Sequence, residues 1–434
     1  MGKVPVLSRI PNRGFSNRLR AVYMSSRRFA FVIPRYFDGI AGGAETLMGN
    51  IATHLSARGD TVEIWSTCAK DNRTWKNEFS PGVSPVSGIP LRRFPVDSRN
   101  LDAWIPIQLA LHDGQKISTD DQLTWMAESV NSCALYAHIA QNATNFDALF
   151  FGPYLFGTTF WGSLIAPHKS ILIPCLHDEA YAYQDVIASM FRQVRGCLFN
   201  AEPEMELARS LYGDIAGGVV GMGFDIPAAD WVGGLEPYFS DAAPYVLYLG
   251  RKETGKNVHI LIDYFVEAKA QGLIPGEVKL AILGGGSFND LHRPEVLSRS
   301  DIVDLPHMSE RDKQRLLRHA LYLCQPSTNE SFSIVIMEAW MAGTPVVVHG
   351  ACPVTRHHVE QSRGGLYFSS VHDLAGGTTY FLGSSEARSC HAMAGADYVR
   401  AQYSWSSVLR RFDTVMERLI GSGETISSEP CHHG

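Results

Sequence analysis

The hydrophobic positions of the chain alternate between short apolar runs and longer stretches with helical spacing. Residues 29–34 form an apolar run, residues 45–58 have the spacing of an amphipathic helix, and residues 61–66 form a second apolar run. A strand, a helix and a second strand in this order open a parallel sheet. Further elements of the same series are predicted as strands at 148–151, 171–175, 197–200 and 218–220, with a helix at 203–211.

The alternation begins again after residues 223–243, where proline, glycine and acidic residues interrupt any sustained period. This second series predicts strands at 245–249, 278–283, 302–304, 321–324, 345–348 and 365–368, and helices at 259–271, 309–319 and 333–341. Two such series predict two doubly wound α/β domains. Because ligands bind at the carboxyl ends of parallel strands, we expect the functional site in a cleft between the domains.

Composition and charge narrow the functional classes. The 434 residues carry a net charge of −6, which gives nucleic acid no general electrostatic attraction. Positive charge is concentrated in the first 28 residues, which contain seven lysines or arginines and no acid. This segment is interpreted either as a tail outside the folded domains or as a contact with an anionic membrane surface. It lacks the apolar core of a secretory signal, and the eight cysteines stand singly, so reduced thiols and a cytoplasmic location are expected.

Two cationic side chains follow the first strand of the second series. Arg251 comes directly after Gly250, and Lys256 lies in the same strand-end loop. A planar guanidinium and a mobile ammonium on one loop can converge on a diphosphate. A solvated basic loop is the alternative, and the pair alone does not decide between the two.

Two glutamates follow the strand predicted at 321–324. Glu330 lies in the strand-end loop, and Glu338 lies in the helix predicted at 333–341, which Ser333 can cap. The free N–H groups at the start of that helix form an anion site. Because Glu338 has apolar neighbours in sequence, we expect it either to bind a ligand such as a vicinal diol or to form a salt bridge with a nearby arginine.

At these residues the sequence resembles family 4 of the glycosyltransferases, which are retaining enzymes with the GT-B fold. The matching elements are Gly250-Arg251 with Lys256-Asn257, the two glutamates with seven residues between them, residues 339–348, the glycine loop at 41–45 and residues 59–62. The resemblance spans about residues 28–419. It implies the GT-B fold, in which two Rossmann-like, doubly wound domains face a central cleft.

The resemblance implies a catalytic role for four residues. Arg251 and Lys256 would hold the donor diphosphate and stabilise the leaving group. Glu330 would contact the transferred sugar. His177, at the end of the strand predicted at 171–175, would contact that sugar near C6; from its position alone it could equally be a general base, a metal ligand or a polar cap on a loop.

The resemblance also implies a set of donor-binding positions, in which Glu338 would bind the ribose and the first-domain glycines would approach the phosphates closely. These positions are Gly42, Gly43, Arg251, Lys256, Ser331, Phe332, Ser333, Ile334 and Glu338. Two departures line the expected sugar pocket, because Ser331 and Ser333 replace the usual glycines and residues 351–353 replace a Gly-Gly turn. The donor sugar therefore stays open.

These observations divide the chain into six parts. They are a basic N-terminal tail (1–28), a Rossmann-like acceptor-side domain (29–222), a linker (223–243), a Rossmann-like donor-nucleotide domain (244–403), a C-terminal helix crossing back to the first domain (404–420) and a tail (421–434).

The function implied is retaining, metal-independent transfer of a hexose from a nucleoside-diphosphate sugar to an acceptor hydroxyl, in cell-surface polysaccharide or glycoconjugate synthesis. The acceptor would be a glycan, a lipid-linked glycan or a small molecule. No Asp-x-Asp occurs in the chain, so no metal and no further cofactor is expected. Peripheral contact with the inner face of the membrane through the basic N-terminus is left open.

Four other functions are weighed against this pattern. A sugar-nucleotide epimerase would share the fold, and a catalytically inactive protein that binds sugar nucleotides would share the donor site. A phosphorylase would need a pyridoxal lysine, which no motif selects. An NAD-dependent oxidoreductase is disfavoured because no G-x-G-x-x-G follows a predicted strand.

Overall fold

The computed structural model describes residues 26–40, 42–226 and 235–421. Four parts named above lie outside the described residues: the tail up to residue 25, Ala41 of the glycine loop, linker residues 227–234 and the tail from residue 422.

The first domain is built on an eight-stranded sheet whose strand order is β3-β4-β2-β1-β5-β6-β7-β8. Its strands are β1 (Arg28–Ile33), β2 (Thr61–Thr67), β3 (Gly82–Val86), β4 (Ile89–Phe94), β5 (Ala148–Phe151), β6 (Ser170–Leu172), β7 (Gly196–Phe199) and β8 (Gly217–Val219). All neighbouring strands are parallel except the β3–β4 hairpin. The central strands β1, β5, β6 and β7 are buried over almost their whole length because helices cover both faces of the sheet.

The helices of the first domain are α1 (Gly43–Ala57), α2 (Leu101–His112), α3 (Thr119–Ala127), α4 (Cys133–Asn142), α5 (Gly157–Ile165), α6 (Asp185–Gln193) and α7 (Glu202–Tyr212). Several begin at a side-chain cap; the Ser118 and Ser132 hydroxyls accept hydrogen bonds from the backbone of the first turn of α3 and α4.

The second domain has a six-stranded, all-parallel sheet with the order β11-β10-β9-β12-β13-β14. Its strands are β9 (Tyr245–Leu249), β10 (Lys279–Leu283), β11 (Ile302–Leu305), β12 (Tyr322–Gln325), β13 (Val346–His349) and β14 (Gly365–Phe368). Its helices are α8 (Val258–Ala270), α9 (Glu310–His319), α10 (Ile334–Met341), α11 (Pro353–Ser362), α12 (Val371–Gly383) and α13 (Ser385–Tyr403). Two doubly wound α/β domains are therefore present, as the alternation predicts.

The last helix, α14 (Trp405–Ile420), lies against the first sheet and not the second. The Phe412 ring meets Phe29 and Phe150 at centroid distances of 5.8 and 5.7 Å. The guanidinium of Arg411 donates to the carbonyl of Val220, the residue after β8. The chain thus returns to its first domain after completing the second.

The two passages of the chain between the domains run side by side. The N–H of Phe224 donates to the carbonyl of Tyr403 at 2.7 Å, and Phe224 forms a parallel bridge with Ser404. A Cβ on Gly223 would lie 2.3 Å from the Trp405 ring, so glycine is required for this close approach. The other face of Trp405 stacks on His54 of α1 at 3.6 Å. We call residues 220–224 and 403–405 the paired crossing.

Two parts of the pattern differ from the structure. The strand predicted to reach residue 175 ends at Leu172. Pro174 has no N–H to donate to the ladder, and Cys175, with φ 52, cannot continue the pleat. The hairpin β3–β4 and the helices α2 to α4, α6 and α11 to α13 are not predicted. Three of the five residues of β3 are exposed, and α2 is apolar with Pro106 inside it, so neither has the expected period.

Among the described residues, no helix has both the length and the hydropathy needed to cross a membrane.

Candidate active site

The strand order identifies one point in each sheet where a ligand is expected. β9 has β10 on one side and β12 on the other, so the loops that leave β9 and β12 diverge at the carboxyl edge of the second sheet. In the first sheet the same position is between β1 and β5. The predicted residues Arg251, Lys256 and Glu330 lie on the loops after β9 and β12, and Gly42 and Gly43 lie where the loop after β1 enters α1.

Lys256 and Glu330 form an ion pair that joins the two loops of the second sheet. The ammonium Nζ lies 2.7 Å from Glu330 Oε1, and the side chains are only 29% and 12% exposed. Asn257, in the left-handed region at φ 54, reinforces the junction by donating from Nδ2 to the carbonyl of Pro326 at 3.2 Å. A cation and a carboxylate predicted for the donor site are therefore adjacent in space.

Arg251 and its neighbour Lys252 have different surroundings. The Arg251 guanidinium is 56% exposed and pairs with Glu253 at 2.8 Å. The Lys252 side chain is buried, and its ammonium lies 2.9 Å from Asp304 Oδ1 and bonds to the carbonyl of Gly284. Lys252 thus ties together the ends of β9, β10 and β11, whereas Arg251 is free to turn towards a ligand.

The segment after Glu330 is held in an unusual backbone conformation. Ser333 has φ 67 and ψ 77, a region that favours glycine. The prediction that the Ser333 side chain caps α10 is wrong: its hydroxyl accepts from Gln325 Nε2 at 3.1 Å and bonds to no amide of the first turn. Because glycine adopts a positive φ without strain, this conformation agrees with the glycine that the family resemblance would place at position 333.

The neighbours of Ser333 face in different directions. The Phe332 ring is buried, stacks on Phe224 at 6.1 Å and meets the Tyr403 ring edge-on. Of the predicted Ser331–Ile334 contacts with a donor, Phe332 can therefore offer its backbone and not its ring. Its ring instead connects the site to the paired crossing.

Glu338 lies on α10 with a partner from α9. The Lys313 ammonium is 2.9 Å from Glu338 Oε1, so the salt bridge considered as an alternative exists, with a lysine in place of the expected arginine. Burial raises the pKa of Glu338, and the attraction of Lys313 does not fully offset that effect. The attraction of Lys313 therefore only partly offsets the cost of burying the negative charge of Glu338.

The first domain contributes a histidine that lies beside a glutamate, and that glutamate is itself hydrogen-bonded to a tyrosine. His177 Nδ1 lies 3.5 Å from Glu179 Oε1, and the same oxygen accepts from the Tyr154 hydroxyl at 2.9 Å. His177 follows the loop after β6, and the side chain keeps 26% of its surface exposed. The imidazole is thus oriented from one side and accessible from the other.

Glu204, a fully buried carboxylate, shapes the loop that leads to His177. Its Oε1 accepts from the N–H of Leu176 at 2.7 Å, and its Oε2 accepts from the N–H of Asn200 at 2.5 Å. Burial raises the pKa of Glu204 to about 8, although these backbone hydrogen bonds favour the ionised form. Glu204 therefore joins the carboxyl ends of β6 and β7.

The glycine loop of the first domain is organised by an internal ion pair. Glu45 Oε1 lies 2.9 Å from the Arg35 guanidinium. A Cβ on Gly42 would lie 2.1 Å from Glu45 Oε2, whereas a Cβ on Gly43 would meet nothing within 4 Å. A side chain at position 42 would therefore displace the Glu45 carboxylate, and Gly43 leaves open space at the start of α1.

The two domains meet beside these residues. The Ser331 hydroxyl is close enough to hydrogen-bond the Cys175 thiol, whose pKa is raised by burial. Cys352, at the start of α11, packs with Ala201 at the start of α7. The His177 loop and the segment after Glu330 therefore lie on facing sides of one cleft.

Within the described ranges, no three His, Cys, Asp or Glu residues are grouped as metal ligands.

Comparison with known proteins agrees with this geometry. The sequence model of the family described as Glycosyl transferases group 1 matches residues 238–394, which contain the Arg251, Lys256, Glu330 and Glu338 positions. The match covers most of the second domain. The resemblance drawn from the sequence motifs is therefore confirmed.

Two groups of curated relatives match part of the chain. Phosphatidyl-myo-inositol mannosyltransferase of Mycobacterium tuberculosis is 31% identical over 188 residues, which are 42% of this chain and 49% of that protein. D-inositol 3-phosphate glycosyltransferase of Mycolicibacterium gilvum is 30% identical over 204 residues, which are 45% of this chain and 41% of that protein. The chain spans about half the length of the curated relatives it matches.

Solved structures match over nearly the whole chain. Sucrose-phosphate synthase of Thermosynechococcus elongatus has a TM-score of 0.67 at 15% identity and covers 91% of this chain and 100% of its own. Anabaena HepE, solved in complex with UDP and glucose, has a TM-score of 0.64 at 17% identity and covers 91% of this chain and 99% of its own. At this identity the likeness concerns the fold, and it confirms the GT-B fold.

Several residues that shape the site are not found by sequence reasoning. They are Tyr154, Glu204, Lys313 and Gln325. Only Lys313 carries a usable signal, because it shares a helix face with Leu316 and Leu317, and a charged residue on the buried face of an amphipathic helix needs a partner. Tyr154 and Glu204 have partners 25 and 28 residues away, and Gln325 bonds to Ser333 across the loop between β12 and α10, so no local period marks these residues.

Proposed function

We propose that the chain is a glycosyltransferase that moves a hexose from a nucleoside-diphosphate sugar to an acceptor hydroxyl with retention of anomeric configuration. The observation that carries the proposal is the Lys256–Glu330 pair, which lies at the switch point of the second sheet beside Arg251 and the start of α10. This group combines positive charge for a diphosphate with a carboxylate for sugar hydroxyls.

The donor would be held mainly by the second domain. Lys256 and Arg251 would bind the diphosphate, together with the amides at the start of α10. Glu338 would accept hydrogen bonds from the ribose hydroxyls. The curated relatives named above are a mannosyltransferase and a glycosyltransferase by name, and the solved Anabaena protein holds UDP, which supports a sugar nucleotide as the donor class.

During transfer, the bond between the anomeric carbon and the diphosphate oxygen breaks, and a bond to the acceptor oxygen forms on the same face of the sugar. The acceptor proton passes to the departing phosphate oxygen. Negative charge grows on the leaving group in the transition state, and Arg251 and Lys256 would stabilise that charge without a metal ion. His177 would position the sugar from the opposite side of the cleft.

The acceptor would bind on the first domain, between the His177 loop and the glycine loop. An acceptor in cell-surface polysaccharide or glycoconjugate synthesis, free or linked to lipid, is the class we propose. The names of the two relatives both contain inositol, so phosphorylated and lipid-linked polyols belong in the test panel beside glycans.

The test begins with binding of UDP, GDP and ADP measured by calorimetry and thermal shift, since a ligand that binds the folded state raises the melting temperature. The tightest base then selects sugar conjugates for hydrolysis and transfer assays with the acceptor panel, in the presence and absence of EDTA. We expect a product with the donor's anomeric configuration and activity that survives EDTA. Inversion of configuration, or loss of activity restored by Mg²⁺ or Mn²⁺, would contradict the corresponding part of the proposal.

The same assays separate the alternatives. Donor binding without hydrolysis or transfer to any acceptor would favour an inactive binding protein. Conversion of the donor into its sugar epimer would favour an epimerase.

A further inference from the structure

Lys313 lies between two carboxylates next to the candidate ribose site. Its ammonium Nζ is 2.9 Å from Glu338 Oε1 on α10 and 2.9 Å from Glu310 Oε2, one turn earlier on its own helix α9. The Lys313 side chain is only 20% exposed, whereas the Glu310 side chain is 64% exposed. The ammonium is therefore anchored on the solvent side by Glu310 and directed inward at Glu338.

The two oxygens of Glu338 differ in their partners. Oε1 accepts from Lys313, whereas Oε2 accepts no hydrogen bond from any described residue and is not among the fully buried atoms. The side chain keeps 24% of its surface exposed. One oxygen is thus occupied by the protein, and the other faces open space with its acceptor capacity unused.

The charge balance indicates the kind of group that suits the unused oxygen. Burial alone would lower the pKa of Lys313, but Glu338 and Glu310 outweigh it and the pKa is raised. The pKa of Glu338 is nevertheless raised by its own burial, against the attraction of Lys313. A neutral O–H donor would stabilise the carboxylate further without adding charge, whereas an anionic group would not.

Resting on the donor site of the proposed function, we infer that Lys313 is a positioning residue for the ribose: it holds Glu338 by Oε1 so that Oε2 is presented to the ribose hydroxyls. A carboxylate held at one oxygen has fewer orientations available, so less ordering of the Glu338 side chain is needed when the diol binds. Lys313 then contributes to selection of ribonucleotides over analogues that lack the hydroxyls.

A purely structural salt bridge between α9 and α10 makes a different prediction. Loss of Lys313 would lower the melting temperature and weaken every nucleotide equally, because the whole domain would be affected. The positioning role predicts a loss of affinity that depends on the presence of the ribose hydroxyls. A ligand that lacks those hydroxyls distinguishes the two roles within one variant.

The experiment measures Kd by calorimetry for whichever of UDP, GDP and ADP binds the wild type most tightly, and for its 2′,3′-dideoxy analogue. The variants are Lys313→Met, which keeps length and removes charge, Lys313→Arg, which keeps charge, and Glu338→Ala. Arg311→Met is the matched control, because Arg311 lies on the exposed face of the same helix. Melting temperatures are measured for all four variants.

We expect Lys313→Met to weaken the ribonucleotide about tenfold and the dideoxy analogue less than twofold, with Lys313→Arg restoring most of the loss. Arg311→Met should match the wild type. If Glu338→Ala loses ribonucleotide affinity but Lys313→Met does not, or if Lys313→Met weakens both ligands equally, the inference about Lys313 is wrong and the donor site stands. If the wild type binds none of the three diphosphates, the proposed function fails first and the inference fails with it.

Discussion

The cleft-facing ends of the two sheets hold their carboxylates in different ways. In the second domain Glu330 and Glu338 each pair with a lysine side chain from a neighbouring element. In the first domain Glu204 is held by backbone N–H groups, and Glu179 accepts from a tyrosine hydroxyl. One side of the cleft therefore holds its carboxylates by ion pairs with lysines, and the other side holds them by hydrogen bonds from uncharged groups.

The difference indicates which carboxylates are available to a ligand. The Lys256 ammonium, on a flexible stem, can move from Glu330 to a phosphate, and Glu330 can then accept sugar hydroxyls instead. Lys313 keeps one oxygen of Glu338 and leaves the other oxygen to a ligand. A backbone N–H cannot move without unfolding its loop. The second-domain glutamates thus suit a ligand that brings both negative charge and hydroxyl groups, and the first-domain carboxylates give shape to the loops around His177.

The largest effect is expected at Glu330. Glu330→Gln keeps the shape of the side chain and removes the charge, so turnover should fall by around a hundredfold if Glu330 acts on the transition state. Affinity for a nucleoside diphosphate should be unchanged or tighter, because Lys256 is released from its pair. Glu253→Gln, next to the exposed Arg251, is the control. A variant that melts lower but turns over normally would show that Glu330 is structural.

A smaller effect is expected from the cations. Lys256→Ala and Arg251→Ala should weaken nucleoside diphosphate binding by roughly ten- to hundredfold, the range of one charge-assisted hydrogen bond. Lys256 should lie at the upper end, because its side chain is half as exposed as that of Arg251 and its loss leaves Glu330 unpaired. Calorimetry of both variants shows which one loses more affinity, and Lys279→Ala, at the opposite end of β10, is the control. Unchanged affinity in both would remove them from the donor site.

The smallest effect concerns stability and the buried carboxyl of the first domain. The pKa of Glu204 is raised to about 8 from 4.5, so between these values the folded chain holds a proton that the unfolded chain has lost. Stability should therefore fall as pH rises through this window. Glu204→Gln does not titrate, so its melting temperature should fall less than that of the wild type between pH 5.5 and 8.5, by roughly 5 °C. Parallel curves for the two proteins would show that backbone hydrogen bonds keep Glu204 ionised throughout.

These contrasts also show how far the sequence predicts the molecule. The strands β1, β2, β5, β9 and β14 are predicted to within a residue at each end, because each is a short apolar run between clear loop signals. The loops that carry Arg251, Lys256 and Glu330 follow from those strands, since the carboxyl ends of parallel strands share one edge. The fold and the location of the candidate donor site can therefore be predicted from the local hydrophobic pattern.

The partners of the site residues are not readable in the same way. Lys313 and Glu338 are 25 residues apart, Lys256 and Glu330 are 74 apart, and only the crossing of strands in the sheet brings them together. The backbone conformation of Ser333 cannot be predicted from its residue type either, because its φ of 67 is imposed by the junction of β12 and α10. The roles of the predicted site residues stay predictions until the variants above are measured.

The paired crossing determines how the cleft can open. A single connecting strand would act as a swivel and let one domain rotate about any axis relative to the other. Two strands side by side, joined from Phe224 to Tyr403, fold together only about the line on which they lie. We therefore expect the domains to move by hinge rotation about a single axis, so that the loops of both sheets would stay opposite one another as the cleft opens. A donor bound to the second domain would then face an acceptor bound to the first domain each time the cleft closes.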